Sequence, residues 1–122
     1  MEIESERQLA IIASEIQQMA REDQEARTAG IPEKTGEVDD HNKVKLEEII
    51  DRIGWPTKSK VGAEAAHDAW LLVQHADQDP AFQRRCLKLM SDEKEGEIEK
   101  EDIAYLDDRI RVGEGQPQLY GT

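Results

Sequence analysis

The sequence from Gly62 to His75 reads GAEAAHDAWLLVQH, and this stretch decides the fold class. Its apolar residues recur at three- and four-residue steps, which places them on overlapping faces of one α-helix. They are Ala65, Ala66, Ala69, Trp70 and Val73. Because several of these side chains are alanines, other helices can pack closely against them. We therefore expect this segment to be the central helix of a helical domain.

Two further helices are indicated before this segment. The first spans about residues 5–27, and its apolar face is formed by Leu9, Ile12, Ile16 and Met19. The second is capped by Asp39 or Asp40, whose short carboxylate can accept the free amide hydrogens of a first turn, and it ends at Gly54. Residues 28–38 between them combine glycine and proline with little to bury, which predicts a flexible connector.

Two helices are also indicated after it. Asp79 followed by Pro80 is a strong start signal, because the aspartate caps and proline needs no amide partner, so a fourth helix is expected over about residues 80–90. A fifth helix is marked by Ile103, Leu106 and Ile110. Glycines and a proline then make residues 112–122 an irregular tail. The sequence predicts an all-α fold, a single compact domain of about five helices over residues 1–122 with this tail packed on it.

The composition excludes several classes of partner. The 122 residues include 28 acidic and 16 basic side chains, giving a net charge of −12. This charge disfavours binding to nucleic acid or to an anionic membrane surface, and no apolar run approaches the length of a membrane span. The N-terminus has neither the basic start nor the apolar run of a signal peptide, so we expect a cytoplasmic protein. The partners that remain are an anionic small molecule or a basic protein.

His75 is the leading candidate for chemistry. It lies at the expected end of the central helix, with Gln74, Asp77 and Asp79 nearby. One interpretation is a general base oriented by Asp77 or by Asp108. The other is that the histidine caps helix carbonyls and the aspartates organise the following turn.

Asp108 and Arg109 close the expected fifth helix. The arginine fork could hold a carboxylate or phosphate at two points, or it could form an internal ion pair that ties this helix to its neighbours. In the tail, Gln118 and Tyr120 carry hydrogen-bonding groups that could complete a pocket at His75, although chain ends are often frayed.

Metal binding is not expected. Glu64 and His67 have the Glu-x-x-His spacing of di-iron helix bundles, but those sites need a second such pair and the sequence has none. Cys86 falls in an apolar helical face, which favours a buried structural thiol. We therefore predict that the chain binds neither a metal nor a cofactor. We expect His67 to be a surface residue.

Several short motifs resemble a known family. They are Gly54-Trp55-Pro56, Gln74-His75-Ala76-Asp77, Asp108-Arg109 and Gln118-Leu119-Tyr120-Gly121-Thr122. The chain resembles an uncharacterised bacterial family, a domain of unknown function, over nearly all of residues 54–122 and more weakly through Asp23-Gln24 and Arg27. Polar motifs at helix ends resemble the way small enzymes distribute a site. The resemblance therefore implies a site formed by His75, Asp77, Asp108, Arg109, Gln74, Gln118 and Tyr120, with Trp55 as a wall.

Two functions fit these observations. The first is a small enzyme with acid-base chemistry, in which His75 is the base, Arg109 holds an anionic substrate, and Gln118 or Tyr120 donates a hydrogen bond to it. The second is an acidic helical interaction module, such as an immunity, antitoxin-like or adaptor protein, in which the polar motifs only hold the C-terminal half together.

Overall fold

The computed structural model describes residues 5–121, and within them the chain forms five α-helices and no strand. The helices are α1 (Glu6–Ala29), α2 (Pro32–Ile53), α3 (Lys58–Gln74), α4 (Pro80–Ser91) and α5 (Lys100–Gly113). The predicted single all-α domain is confirmed. Within the described residues, no helix combines the length and apolar composition that crossing a membrane requires.

The third helix is central, as the sequence predicts. It packs against each of the other four helices, most extensively against α1. Ala65 and Ala69 have no exposed surface, and Ile16 of α1 is equally buried in the same core. Small side chains at these positions let the two helix backbones approach closely. The helix is kinked at Gly62, where the sequence pattern places its start.

The predicted flexible connector at residues 28–38 is wrong. Helix α1 continues to Ala29 and α2 begins at Pro32, so the turn between them is only Gly30 and Ile31. A proline at the first helical position loses no hydrogen bond, which is why this Gly-x-Pro sequence both ends one helix and starts the next. Asp39 therefore lies inside α2 and does not cap it.

The later boundaries follow the sequence more closely. Asp79 caps α4, because its Oδ1 accepts the backbone N–H of Phe82 at 3.1 Å. Helix α5 runs to Gly113, so Val112 is helical and the tail begins two residues later than predicted. The segment that follows α5 is called the tail below and comprises residues 114–121.

Gly54 ends α2 in a conformation that requires glycine. Its N–H donates to the Ile50 carbonyl at 2.8 Å, and its φ of 76° and ψ of −166° lie in a region that other residues avoid. A Cβ there would stand 3.2 Å from the Lys60 Nζ. That ammonium donates to the carbonyls of Ile53 and Trp55 at 2.5 and 3.2 Å, so it binds the end of α2.

We expect Gly54→Ala to lower the free energy of unfolding by about 1–3 kcal/mol, because alanine is strained in this conformation. Gly36→Ala is the matched control. Gly36 is inside α2 with nothing within 4 Å of an added Cβ, so alanine should raise stability there by about 0.5–1 kcal/mol. Urea denaturation of both variants measures the difference. Equal effects at the two positions would contradict the strain at Gly54.

Candidate functional site

A cleft of about 770 Å³ lies among α3, α4, α5 and the tail. Six of the eight site residues that the sequence predicts line it, namely Gln74, His75, Asp77, Asp108, Arg109 and Gln118. They come together because the end of α3, the turn into α4 and the second half of α5 meet at this point. The cleft is called the α3–α5 cleft below.

His75 is held by a carboxylate that the sequence analysis did not assign. It directly follows α3, and its Nδ1 lies 2.7 Å from Oδ2 of Asp23 on α1. Asp23 has no exposed surface, and His75 is largely buried. The expectation that Asp77 or Asp108 orients His75 is therefore wrong. A carboxylate on Nδ1 fixes the tautomer and orientation of the ring.

The Asp23 carboxylate belongs to a charged network that joins three helices. Its Oδ1 accepts from Arg27 Nη1 at 2.6 Å, and Arg27 also donates to both oxygens of Asp39 at 3.0 and 3.2 Å. Burial alone would raise the pKa of Asp23, but the hydrogen bond from His75 and the charges of His75 and Arg27 together lower it below its usual value. Burial raises the pKa of Asp39.

Among residues 5–121, one group has the composition of a metal site. Ligand atoms of Asp23, Asp39 and His75 lie within 4.8 Å of one another. The Arg27 guanidinium is hydrogen-bonded to both carboxylates, so it already supplies the positive charge that a cation would bring. The arrangement therefore favours an ion-pair network over a bound metal.

Arg109 forms the internal ion pair that the sequence allowed as an alternative to an anion clamp. Its Nε and Nη2 donate to the two oxygens of Asp77 at 2.9 and 2.6 Å. Burial alone would raise the pKa of Asp77, but hydrogen bonds from Arg109 and Gln83 and the charge of Arg109 lower it. This two-point contact ties α5 to the turn between α3 and α4.

Two glutamines complete the polar wall of the cleft. Gln83 is buried, and its Nε2 donates to the carbonyls of Val73 and Gln74 at the end of α3 and to Asp77. The second glutamine, Gln74, also lines the cleft. Gln74 is 5% exposed, and its Oε1 has no hydrogen-bond partner within the described part of the chain. A buried acceptor without a partner is rare in proteins and calls for a physical explanation.

Asp108 anchors the tail. It is 1% exposed, and its Oδ1 accepts the backbone N–H groups of Leu119 and Tyr120 at 2.7 and 3.0 Å. This contact brings Gln118 to the rim of the α3–α5 cleft. The Tyr120 side chain is 54% exposed and does not line the cleft, so the expectation that its phenol completes the pocket is wrong.

Trp55 does not form a wall of this cleft. It is 1% exposed in the core, and it borders a separate cavity of about 160 Å³ together with His67. The motif around Trp55 turns the chain from α2 to α3, which explains the signal without a ligand. His67 is exposed as predicted, and its Nδ1 lies 3.3 Å from Asp102.

The sequence does contain a signal for Asp23. Ile12, Ile16 and Met19 form the buried stripe of α1, and the next position on that stripe is Asp23. A carboxylate at a core position of an amphipathic helix implies a buried cationic or hydrogen-bonding partner. Gln83 has the same property, because it follows Phe82 on the buried face of α4.

The stability that Asp23 provides should depend on pH in one direction. Because its pKa is lowered in the folded protein, its contribution is fully present above the usual value of 3.8 and is lost as the pH falls through the lower folded value. We expect the difference in unfolding free energy between the wild type and Asp23→Asn to shrink as the pH falls below about 4. Denaturant titrations from pH 2.5 to 7 measure it. A difference that grows as the pH falls from about 4 to 2.5 would contradict this assignment.

Comparison with known proteins gives one match. The model of a family of unknown function (DUF6624) matches residues 6–122. This confirms the resemblance to a domain of unknown function, while the motif signature drawn from the sequence stays a prediction. The chain matches no curated protein and no solved structure.

Proposed function

The chain belongs to the family of unknown function DUF6624, and since that description assigns no activity, we propose that the α3–α5 cleft binds a small molecule and that His75 exchanges a proton with it. One observation carries this proposal: an imidazole in the cleft lining has its Nδ1 on a fully buried carboxylate, Asp23. Histidine side chains with this support are suited to acid-base chemistry near neutral pH.

The chemistry follows from which ring nitrogen is engaged. In the neutral imidazole, Nδ1–H donates to Asp23, so the lone pair is on Nε2 and can accept a proton from a ligand or a water molecule. Asp23 then stabilises the imidazolium that forms, as the aspartate does in Ser-His-Asp triads. The low exposure of both groups strengthens this interaction.

Covalent catalysis by a serine, threonine or cysteine is not part of the proposal. The described residues that line the cleft include no serine, threonine or cysteine. Cys86 is buried in the core, and burial raises the pKa of its thiol to about 12, so it is not an activated nucleophile. His75 would therefore act directly on the ligand or on a water molecule beside it.

A thermal-shift screen against metabolites tests binding. A ligand at 100 times its Kd should stabilise the wild type by about 2.7 kcal/mol. His67→Gln is the matched control, because this histidine lies on the same helix but borders the other cavity. We expect the same ligand to stabilise His67→Gln by the same free energy as the wild type.

Turnover of that ligand then tests the role of His75. In D2O, 1H NMR of the ligand should show either exchange of a carbon-bound proton for deuterium or cleavage of the ligand. Both the wild type and His67→Gln should carry out this reaction. His75→Gln should slow this reaction at least about 100-fold, because it removes the acid-base group. An unchanged rate in folded His75→Gln would exclude the proton-transfer role.

The interaction module remains a second candidate, and one observation favours it. Four of the seven large hydrophobic side chains that are exposed among residues 5–121 lie on α5 or the tail: Tyr105, Val112, Leu119 and Tyr120. An exposed apolar surface on an acidic protein suits a partner with apolar and basic groups. This function predicts that His75→Gln changes stability alone and that Tyr105→Ser with Leu119→Ser abolishes capture of a basic partner at low salt.

A further inference from the structure

We infer that the α3–α5 cleft takes an uncharged aromatic compound whose ring lies against Trp70 and Tyr105. This ligand class rests on the proposed function and narrows it. It differs from the anionic ligand that the sequence suggested from Arg109.

The first argument is that the charged side chains in the cleft lining already have partners. Arg109 donates to both oxygens of Asp77 at 2.9 and 2.6 Å. Glu114 pairs with Arg84, and Asp108 accepts two backbone N–H groups of the tail. Each charged side chain in the described lining is therefore held within the chain.

Paired charges in the lining favour a neutral ligand over an ion. A charged ligand loses hydration when it enters the cleft, and an ion pair that is already formed compensates little of this loss. The net charge of −12 on the chain also repels an anion. Its attraction for a cation is screened by salt beyond about 8 Å at physiological ionic strength. An uncharged ligand avoids both penalties.

The second argument is a corner that two aromatic rings form in the same lining. The rings of Trp70 and Tyr105 meet edge to face, with centroids 6.2 Å apart and planes at 72°. A third ring in this corner can stack on one of them and meet the other edge-on, which are the two arrangements that aromatic pairs prefer. Tyr105 is 50% exposed, so it has surface that a ligand can cover.

Trp70 is fixed by contacts outside the α3–α5 cleft. Its Nε1 donates to the Asp102 carbonyl at 2.7 Å, and the His67 ring lies against the indole with centroids 4.9 Å apart. Both partners border the smaller cavity and do not line the cleft. Because this wall is already ordered in the free protein, little side-chain entropy is lost when a ligand packs on it.

The aromatic corner and His75 are close enough for one small molecule to reach both. Trp70 and His75 are five positions apart at the end of α3, which corresponds to about 7.5 Å along the helix axis. A phenyl ring with a short chain and a terminal hydroxyl spans about this length. Its hydroxyl can then hydrogen-bond to the His75 ring while the phenyl group occupies the corner.

Three probes that share a benzyl group test the charge of the ligand: 2-phenylethanol, 2-phenylethylamine and phenylacetate. Each is titrated at neutral pH into the full chain labelled with 15N, and the indole N–H signal of Trp70 is followed by NMR. This signal is assigned in Trp55→Phe, because the chain has only two tryptophans. We expect the alcohol to give a saturable shift, with a Kd at least about tenfold below those of the amine and the carboxylate.

Two variants test the aromatic corner. Tyr105→Leu should raise the Kd of 2-phenylethanol about fivefold, because leucine keeps an apolar side chain but removes one ring of the corner. Tyr120→Leu is the matched control, because this tyrosine is 54% exposed and lies outside the cleft lining. It should leave the Kd unchanged.

The inference is overturned if the amine or the carboxylate binds as tightly as the alcohol, if Tyr105→Leu binds the alcohol as tightly as Tyr120→Leu does, or if no probe shifts the Trp70 signal. In the first two cases a ligand still occupies the cleft, so the proposed site stands and only its ligand class is wrong. In the third case the ligand class is wrong as well, and the metabolite screen decides the site independently.

Discussion

Replacing Asp23 with alanine should lower the free energy of unfolding by about 3 kcal/mol, since removing one member of a buried ion pair leaves its partners unsatisfied. His75 would lose the carboxylate that is hydrogen-bonded to its Nδ1, and Arg27 would keep Asp39 alone. For a domain of this size the melting temperature should fall by about 10 °C. Differential scanning calorimetry at pH 7 measures both quantities.

Asp92→Asn is the matched control for Asp23→Ala. Asp92 pairs with Lys88 at 3.0 Å, but both side chains are more than half exposed. An exposed pair of this kind contributes about 0–1 kcal/mol. If Asp23→Ala lowered the free energy of unfolding as little as this control, the network around Asp23 would not stabilise the fold and would not hold His75 in place.

Trp55→Ala should lower the free energy of unfolding by about 4 kcal/mol, because it leaves a large cavity in the core. Trp55 is 1% exposed, and its Nε1 has no hydrogen-bond partner among the described residues. Trp55→Phe keeps an aromatic ring and breaks no hydrogen bond, so it should lower the free energy of unfolding by only about 1–2 kcal/mol. Urea denaturation of the two variants measures this order.

Ligand binding separates the two roles considered for Trp55. Because it borders a different cavity from His75, Trp55→Phe should bind a ligand of the α3–α5 cleft with wild-type affinity. A folded Trp55→Phe protein with normal stability and lost binding would restore the role of a pocket wall that the sequence suggested.

The fold was largely predictable because its signals are local. The apolar spacing in α3 and the Asp79-Pro80 start depend on neighbours in the chain, and both are confirmed. The first half of α2 was missed because its residues bury little. What fixes Asp39 there is an ion pair to Arg27 on another helix, twelve positions away, which no local pattern contains.

The candidate site, like the fold, was predictable from the sequence only where its residues are neighbours in the chain. Gln74, His75 and Asp77 line one cleft because they are adjacent at one helix end, and this neighbourhood is visible in the sequence. The contact between Asp23 and His75 spans 52 positions, so the packing of α1 on α3 has to be known before it can be seen. The role of Trp55 has the same limit, because a tryptophan beside glycine and proline gives the same local pattern in a turn that packs on the core and in a pocket wall.

A crystallographic fragment soak tests the central claim most directly, because it shows where the chain binds small molecules without assuming a ligand. We predict fragments in the α3–α5 cleft that contact the His75 ring. Fragments bound only in other cavities, with this cleft empty in every soak, would contradict the assignment of a small-molecule site at His75.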